Sequence, residues 1–165
     1  IPVVGICQST LGLASAMGRR FAIVTSDPTY IGEVDDNIDR FFHREQAITQ
    51  QPVRTISLSS ERFFGCLGGD YDAAEESFIT AARGAIADGA EVLIAGCGLL
   101  SPMLTDRGVT EIDGVPLIDP LVAGVKMAEV LVDMQRAGLP VVSRTGQFQG
   151  TPAEVLARGL DQIGG

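Results

Sequence analysis

Short apolar runs punctuate the chain at 2–6 (PVVGI), 20–26 (RFAIVTS), 53–58 (VRTISL), 91–96 (EVLIAG) and 115–119 (VPLID). Apolar residues follow one another in these runs without strict alternation, the pattern of strands covered on both faces. Between them lie stretches with helical spacing, predicted at 9–18, 29–47, 70–88, 120–136 and 152–163. Strand and helix thus take turns. That succession predicts an α/β fold: a parallel sheet with helices on both faces, a doubly wound lobe of Rossmann or flavodoxin type.

Local signals place the boundaries. Ser9 or Thr10 suits the N-cap of the first helix, and Asp70 or Asp72 that of the third. In the third helix Ala74, Phe78, Ala82 and Ile86 share one stripe and Gly89 stops it. In the helix at 120–136 Pro120 takes the first turn, Val122, Val125, Leu131 and Val132 are expected toward the core, and Gly138 ends it. The stretch 59–69 is polar and then glycine-rich, which predicts an irregular loop or flap. Its Phe63 and Phe64 either pack beneath that loop or cap a pocket. The organisation expected is an α/β lobe over 1–135, followed by a strand-and-helix segment, 136–165, that packs on another lobe.

Composition narrows the function classes. Twelve Lys and Arg against 21 Asp and Glu leave a net charge of −9, and Arg19, Arg20, Arg40, Arg44 and Arg54 are scattered. With no basic patch, and with only 5% aromatic residues to stack on bases, no nucleic-acid partner is expected. No apolar run approaches the roughly 20 residues of a membrane-spanning helix, so no membrane partner is expected either. The three cysteines, Cys7, Cys66 and Cys97, and the single His43 match no zinc-site spacing. Free thiols favour a reducing compartment, and the cytoplasm is the expected location. The chain opens on Ile-Pro and not Met, as a processed or truncated piece would.

Chemistry in an open parallel sheet belongs beyond the carboxyl ends of its strands. Cys7, Ser26 and Cys97 each stand at such an end, which leaves a Cys7–Cys97 disulfide open. Cys97 sits between Gly96 and Gly98 at a strand-to-helix turn, where backbone N–H groups could hold negative charge beside a reactive thiol. The competing reading is a buried, structural cysteine. VGICQSTLGLASAMG lacks both GxGxxG and the Gly-Lys-Ser/Thr of a P-loop, so no nucleotide site is expected. His43 reads as a helix-face residue or a satisfied ring, and Asp27 and Asp119 read as caps or turn residues.

Three stretches, IPVVGICQSTLGLASAMGRRFAIVTS, GAEVLIAGCGLLSPM and GVPLIDPLVAGVKMAEVLV, resemble in order and spacing the second half of the aspartate/glutamate racemase superfamily. The likeness is greatest to its hydantoin racemase-like branch. It implies two similar lobes with the active site between them, and two cysteines working on opposite faces of a carbon next to a carbonyl without a cofactor. Cys97 matches the second of those cysteines. The first belongs to a segment upstream of IPVVGI, and Cys7 is not its equivalent. The resemblance further implies substrate contacts from Ser9, Thr10, Thr25, Ser26, Gly98 and Leu99. Glutamate racemases carry Thr-His after this cysteine, whereas Gly98 and Leu99 follow it here, which turns the expectation from free glutamate toward a hydantoin-like derivative.

The function expected is a cofactor-independent racemase or epimerase of an amino acid or hydantoin-like small molecule, assembled as a homo-oligomer. Two alternatives stand beside it. One is a single-cysteine decarboxylase or cis-trans isomerase of the same superfamily, and the other is a non-catalytic ligand-binding or interaction module.

Overall fold

The structure is a computed structural model that describes residues 2–146, 149–152 and 154–155. It divides into a unit from Val3 to Ala128 and a second containing Glu129 onward with the first two residues.

Within the first unit the elements run α1 (Ile6–Met17), β1 (Phe21–Thr25), α2 (Ile31–Arg40), β2 (Val53–Thr55), α3 (Ser60–Gly65), α4 (Asp72–Ala87), β3 (Val92–Ala95), α5 (Leu100–Asp106), β4 (Glu111–Ile112) and β5 (Val115–Ile118). Helix α6 (Pro120–Arg136) follows. The sheet order is β2-β1-β3-β5-β4. The first four of these are parallel, and β4 is an antiparallel edge joined to β5 by a hairpin. Asp113 and Gly114, with φ of 51° and 81°, form its two-residue turn.

β1 and β3 are buried at every position because each serves two cores. Ala22, Val24, Leu93 and Ala95 pack on one face with Phe78, Ala82 and Ala85 of α4 and Leu100 and Leu104 of α5. Phe21, Ile23, Val92 and Ile94 pack on the other with Leu11 and Ala14 of α1, Ile38 of α2 and Ala123 of α6. Alternate side chains of a strand point to opposite faces, so a continuous apolar run is what a sheet covered on both sides needs. The α/β fold class expected from the sequence is the one observed.

Several expected elements are corrected. The run at 2–6 forms no strand: both edges of β1 are taken by β2 and β3, Pro2 lacks a donor for a ladder, and Val3 is exposed. The chain instead enters α1 at Ile6 with Gly5 as N-cap. Ser9 and Thr10 therefore lie inside the helix and do not cap it, and Cys7 stands in its first turn and not at a strand end. The single helix expected at 29–47 is broken: α2 stops at Arg40, and Phe42 turns the chain with φ of 63°. Arg44 fastens that turn back onto α2 through Asp35 and Asp39, each at 2.8 Å. The strand at 53–58 ends at Thr55.

The stretch 59–69 is not irregular. Ser59 caps α3 by accepting the Arg62 amide at 3.3 Å, and a short 3-10 turn follows at Cys66–Gly68. α4 keeps its expected stripe and its stop near Gly89, but Tyr71 and not an aspartate occupies the N-cap. In α6 the face toward the sheet is Pro120, Ala123 and Gly124, whereas Val122 and Val125 are exposed. Gly124 faces α1: a Cβ there would stand 3.6 Å from an Ile6 side-chain carbon, in ordinary van der Waals contact.

In the second unit, described residues 137–146 and 149–152 carry no strand, and Glu154 and Val155 are helical. The remainder of the helix expected at 152–163, Ala153 and 156–163, lies outside the described residues.

Candidate active site

β1 continues through α2 to β2 on one side, while the chain returns by α4 to β3 on the other. The two connections diverge at the carboxyl ends of β1 and β3, which leaves a crevice there. Thr25 and Ser26 end β1, and Gly96 and Cys97 follow β3. The parallel register that pairs Val24 with Ala95 brings these two ends level. The Gly96 amide extends that pairing by donating to the Val24 carbonyl at 2.8 Å. A Cβ at position 96 would collide with the Ile23 side chain, so glycine is what lets the two chain ends stay this close.

Cys97 is half-buried and free. The Ser26 hydroxyl donates to its sulfur at 3.2 Å, and the Cys97 carbonyl accepts the Ser101 amide at 3.0 Å as the chain turns into α5. Both Cys97 and Ser26 line a cavity of about 590 Å³ together with Thr25, Gly98 and Leu99. Leu99, Tyr30 and Phe64 are exposed lining residues, so the cavity reaches the surface. Thr25 is fully buried, and its hydroxyl has no hydrogen-bond partner among the described residues. A buried polar group left in that state is costly, and a cavity wall is where a ligand could satisfy it.

Asp27 lines the same cavity as the thiol. One carboxylate oxygen accepts the Thr29 amide at 2.8 Å and the Thr29 hydroxyl at 2.7 Å, and the other accepts the Ser60 hydroxyl at 2.6 Å. These bonds, that from Ser60 foremost, hold the Asp27 carboxyl below the usual carboxylate range. They also tie α3 to the end of β1. Phe63 fills the core beneath α3 while also lining the cavity, and exposed Phe64 meets it edge-on, their ring centres 5.8 Å apart. The two expectations for this pair are thus both met, one by each ring.

Among the residues expected at a site, Cys97, Thr25, Ser26, Gly98 and Leu99 share the one cavity. Thr10 lines a neighbouring apolar cavity of about 220 Å³ with Cys7, and Ser9 lines neither. The Ser9 and Thr10 hydroxyls donate to the carbonyls of Gly5 and Ile6, each at 2.8 Å. Burial pushes the Cys7 thiol up from its ordinary value. Cys66 is buried and donates to the Arg62 carbonyl, and Cys7 and Cys97 are not joined. His43 is half-buried, its Nδ1 in hydrogen-bond contact with Gln46 at 2.8 Å and Ser15 at 3.0 Å, which is the satisfied ring expected. Asp119 accepts the Leu121 and Val122 amides at 2.8 and 3.2 Å and so caps α6.

Tyr30, Glu33, Ser60 and the cavity-facing role of Asp27 were not foreseen. Asp27 and Tyr30 follow directly on β1, so the strand-end rule could have found them. Ser60 comes in only through the fold. Among the described residues no three His, Cys, Asp or Glu side chains gather as a metal set, and no helix is long and apolar enough to cross a membrane.

The sequence pattern of the Asp/Glu/hydantoin racemase family matches residues 1–128. The chain belongs to that family. Its relatives include hydantoin racemase from Rhizobium meliloti, 34% identical over 136 residues, covering 79% of this chain and 51% of that protein. Hydantoin racemase from Pseudomonas sp. (strain NS671) is 33% identical over 134 residues, covering 81% and 50%. The chain spans about half the length of these racemases. Allantoin racemases from Pseudomonas fluorescens and Klebsiella pneumoniae share the fold, with TM-scores of 0.68 and 0.64 at 24% identity. Those alignments cover 92% and 90% of this chain and 60% of each of the solved chains.

Proposed function

We propose that this chain takes part in cofactor-independent racemisation at a carbon next to a carbonyl, with Cys97 as one of the proton carriers. The observation that carries the reading is a half-buried thiol at the switch point of the sheet, hydrogen-bonded by Ser26 at 3.2 Å and lining a cavity that reaches solvent. Membership of a racemase family supports it.

In this reading the Cys97 thiolate takes the proton from the substrate carbon. The C–H electron pair moves into the adjacent carbonyl as an enolate, and a second acid returns a proton to the opposite face. The Ser26 hydroxyl, donating to the sulfur at 3.2 Å, holds it at the cavity wall. Backbone donors of Gly98 and Leu99, with the Thr25 hydroxyl, are the groups assigned to the substrate oxygen. Cys7 lines the neighbouring cavity and is not assigned the second-acid role.

The substrate class follows from charge. Among the described residues the cavity wall carries two carboxylates, Asp27 and Glu33, and no Lys, Arg or His. A free dicarboxylic amino acid would meet like charge there, and so would the diacid substrate of a one-thiol decarboxylase. A cyclic amide of hydantoin type, which presents carbonyls without a carboxylate, meets none. Small-molecule turnover in a homo-oligomer, within a reducing cytoplasm suited to three free thiols, belongs to the same reading.

The test is solvent deuterium incorporation into enantiopure alkyl hydantoins. Cys97→Ser is expected to lower exchange by about 100-fold or more, the scale of a lost general acid or base. Equal exchange by both proteins would remove Cys97 from the mechanism.

A further inference from the structure

The cavity around Cys97 is unusual in what it leaves unpaired. Asp27 is fixed and satisfied by Ser60 and Thr29. Glu33, in the first turn of α2, faces the same space and makes no hydrogen bond or ion pair among the described residues. The rings of Tyr30 and Phe64, both about half exposed (50% and 56%), line the wall with it. Thr25 belongs to the same lining, its hydroxyl fully buried and without a partner among the described residues.

A bare pair of surface carboxylates would signify only a hydrated rim. Here they border a cavity of about 590 Å³ that also holds a thiol, a buried hydroxyl in need of a partner and two accessible aromatic faces. Carboxylate and aromatic face together are the two groups that attract an ammonium or guanidinium. Among the described residues no lining cation offsets them, and the chain as a whole carries −9. The local potential therefore adds to the global one.

We infer that this cavity selects molecules bearing a positively charged substituent, and that Glu33 is the specificity-determining residue that reads the charge. For catalysis the inference rests on the racemase reading above and narrows it to cyclic amides with a basic side chain. As a statement about the cavity it does not depend on that reading. Asp27, already committed to Ser60 and Thr29, shapes the wall and holds α3. Glu33 remains available to an incoming cation.

Cys97 supplies a probe that needs no turnover. The intact protein is treated with aminoethyl methanethiosulfonate, which is cationic, and with sulfonatoethyl methanethiosulfonate, which is anionic. Modification at Cys97 is timed by peptide mass spectrometry and normalised to free cysteine. The cationic reagent is expected to be favoured by about tenfold at low salt. That preference should fall toward unity in about 1 M salt, where the screening length is about 3 Å. Glu33→Gln, an exposed isosteric change, should cut it at least about threefold. A normalised ratio near unity, or one that Glu33→Gln leaves unchanged, overturns the inference.

Turnover provides the second arm. Racemisation of hydantoins with aminoalkyl, neutral alkyl and carboxyalkyl side chains is compared by kcat/KM. The aminoalkyl substrate is expected to lead, and Glu33→Gln to lower its kcat/KM relative to that of the neutral one. Neutral turnover with a flat labelling ratio defeats the charge selection and leaves the racemase reading standing. A charge-selective thiol with no turnover of any hydantoin does the reverse.

Discussion

Replacing Thr25 by Val tests whether the site is kept unsatisfied for a ligand. Thr25 ends β1, is fully buried, and its hydroxyl finds no partner among the described residues. Its backbone is already engaged, the carbonyl accepting the Ile56 amide at 3.0 Å. Val has the same branched outline and suits a strand at least as well, so the substitution exchanges a buried, unbonded hydroxyl for a methyl and changes little else. Leaving such a group unbonded costs about 1 to 3 kcal/mol, and that is the stabilisation expected from its removal. In a chain of this size it corresponds to a rise in Tm of about 2 to 4 °C for each kcal/mol. Urea unfolding followed by circular dichroism measures it, with an unchanged m-value to show that the denatured state has not altered. Thr25→Ser is the control: it keeps the hydroxyl and loses packing, so it should be less stable than the parent while retaining hydantoin turnover. Gain of stability with loss of kcat/KM in the Val variant alone is the signature of a hydroxyl reserved for substrate. A Val variant destabilised by about 1 kcal/mol or more would refute the reasoning, since that is the behaviour of a hydroxyl already bonded within the fold.

Two further outcomes follow from close packing and from capping. Gly96→Ala drives a methyl into Ile23 and should cost about 1 to 3 kcal/mol in urea unfolding, and a double variant with Ile23→Ala should cost less than the sum of the two. At Asp119, burial works to raise the carboxyl, but the Thr105 hydroxyl and the amides of Val122 and Leu121 oppose it and the carboxyl is held below the ordinary range. Because the folded value is the lower one, the stabilisation is complete above the unfolded value of about 3.9 and is lost as pH falls through the depressed folded value. Asp119→Ala should therefore cost about 0.5 to 2 kcal/mol at neutral pH, a difference that closes on acidification in thermal melts.

What the sequence makes legible is set by how local each cause is. Val92–Ala95 and Phe21–Thr25 are readable because burial on both faces forces every position to be apolar or small, whatever the neighbouring strand. The same reasoning misleads at 2–6, where the run is as apolar but the sheet has no free edge beside β1 to receive it. In α6, side-chain spacing alone cannot say which stripe is inward. In the structure the inward stripe is Pro120, Ala123 and Gly124, with Gly124 facing α1, while Val122 and Val125 are exposed.

The candidate site divides along the same line. Cys97 and Ser26 can be found from strand ends, because a parallel sheet sends its chemistry to that rim. Asp27 and Glu33 each have a sufficient local explanation, one as the cap of a turn and the other as an acid in the first turn of a helix. Their shared property, that both face the thiol's cavity with no cation between them, exists only once β1 lies beside β3 and α3 is tied down by Ser60. The acidic character of the wall is thus a product of the crossover connection, whereas the thiol is a product of a single strand end. A relative could keep the Gly96–Cys97–Gly98 turn and exchange Glu33 for a cation without disturbing either core, because Glu33 contributes to neither. The thiol and the charge of the wall around it are therefore separable in the sequence: the first is held by residues that the sheet cannot spare, the second by a position that the fold leaves free to vary.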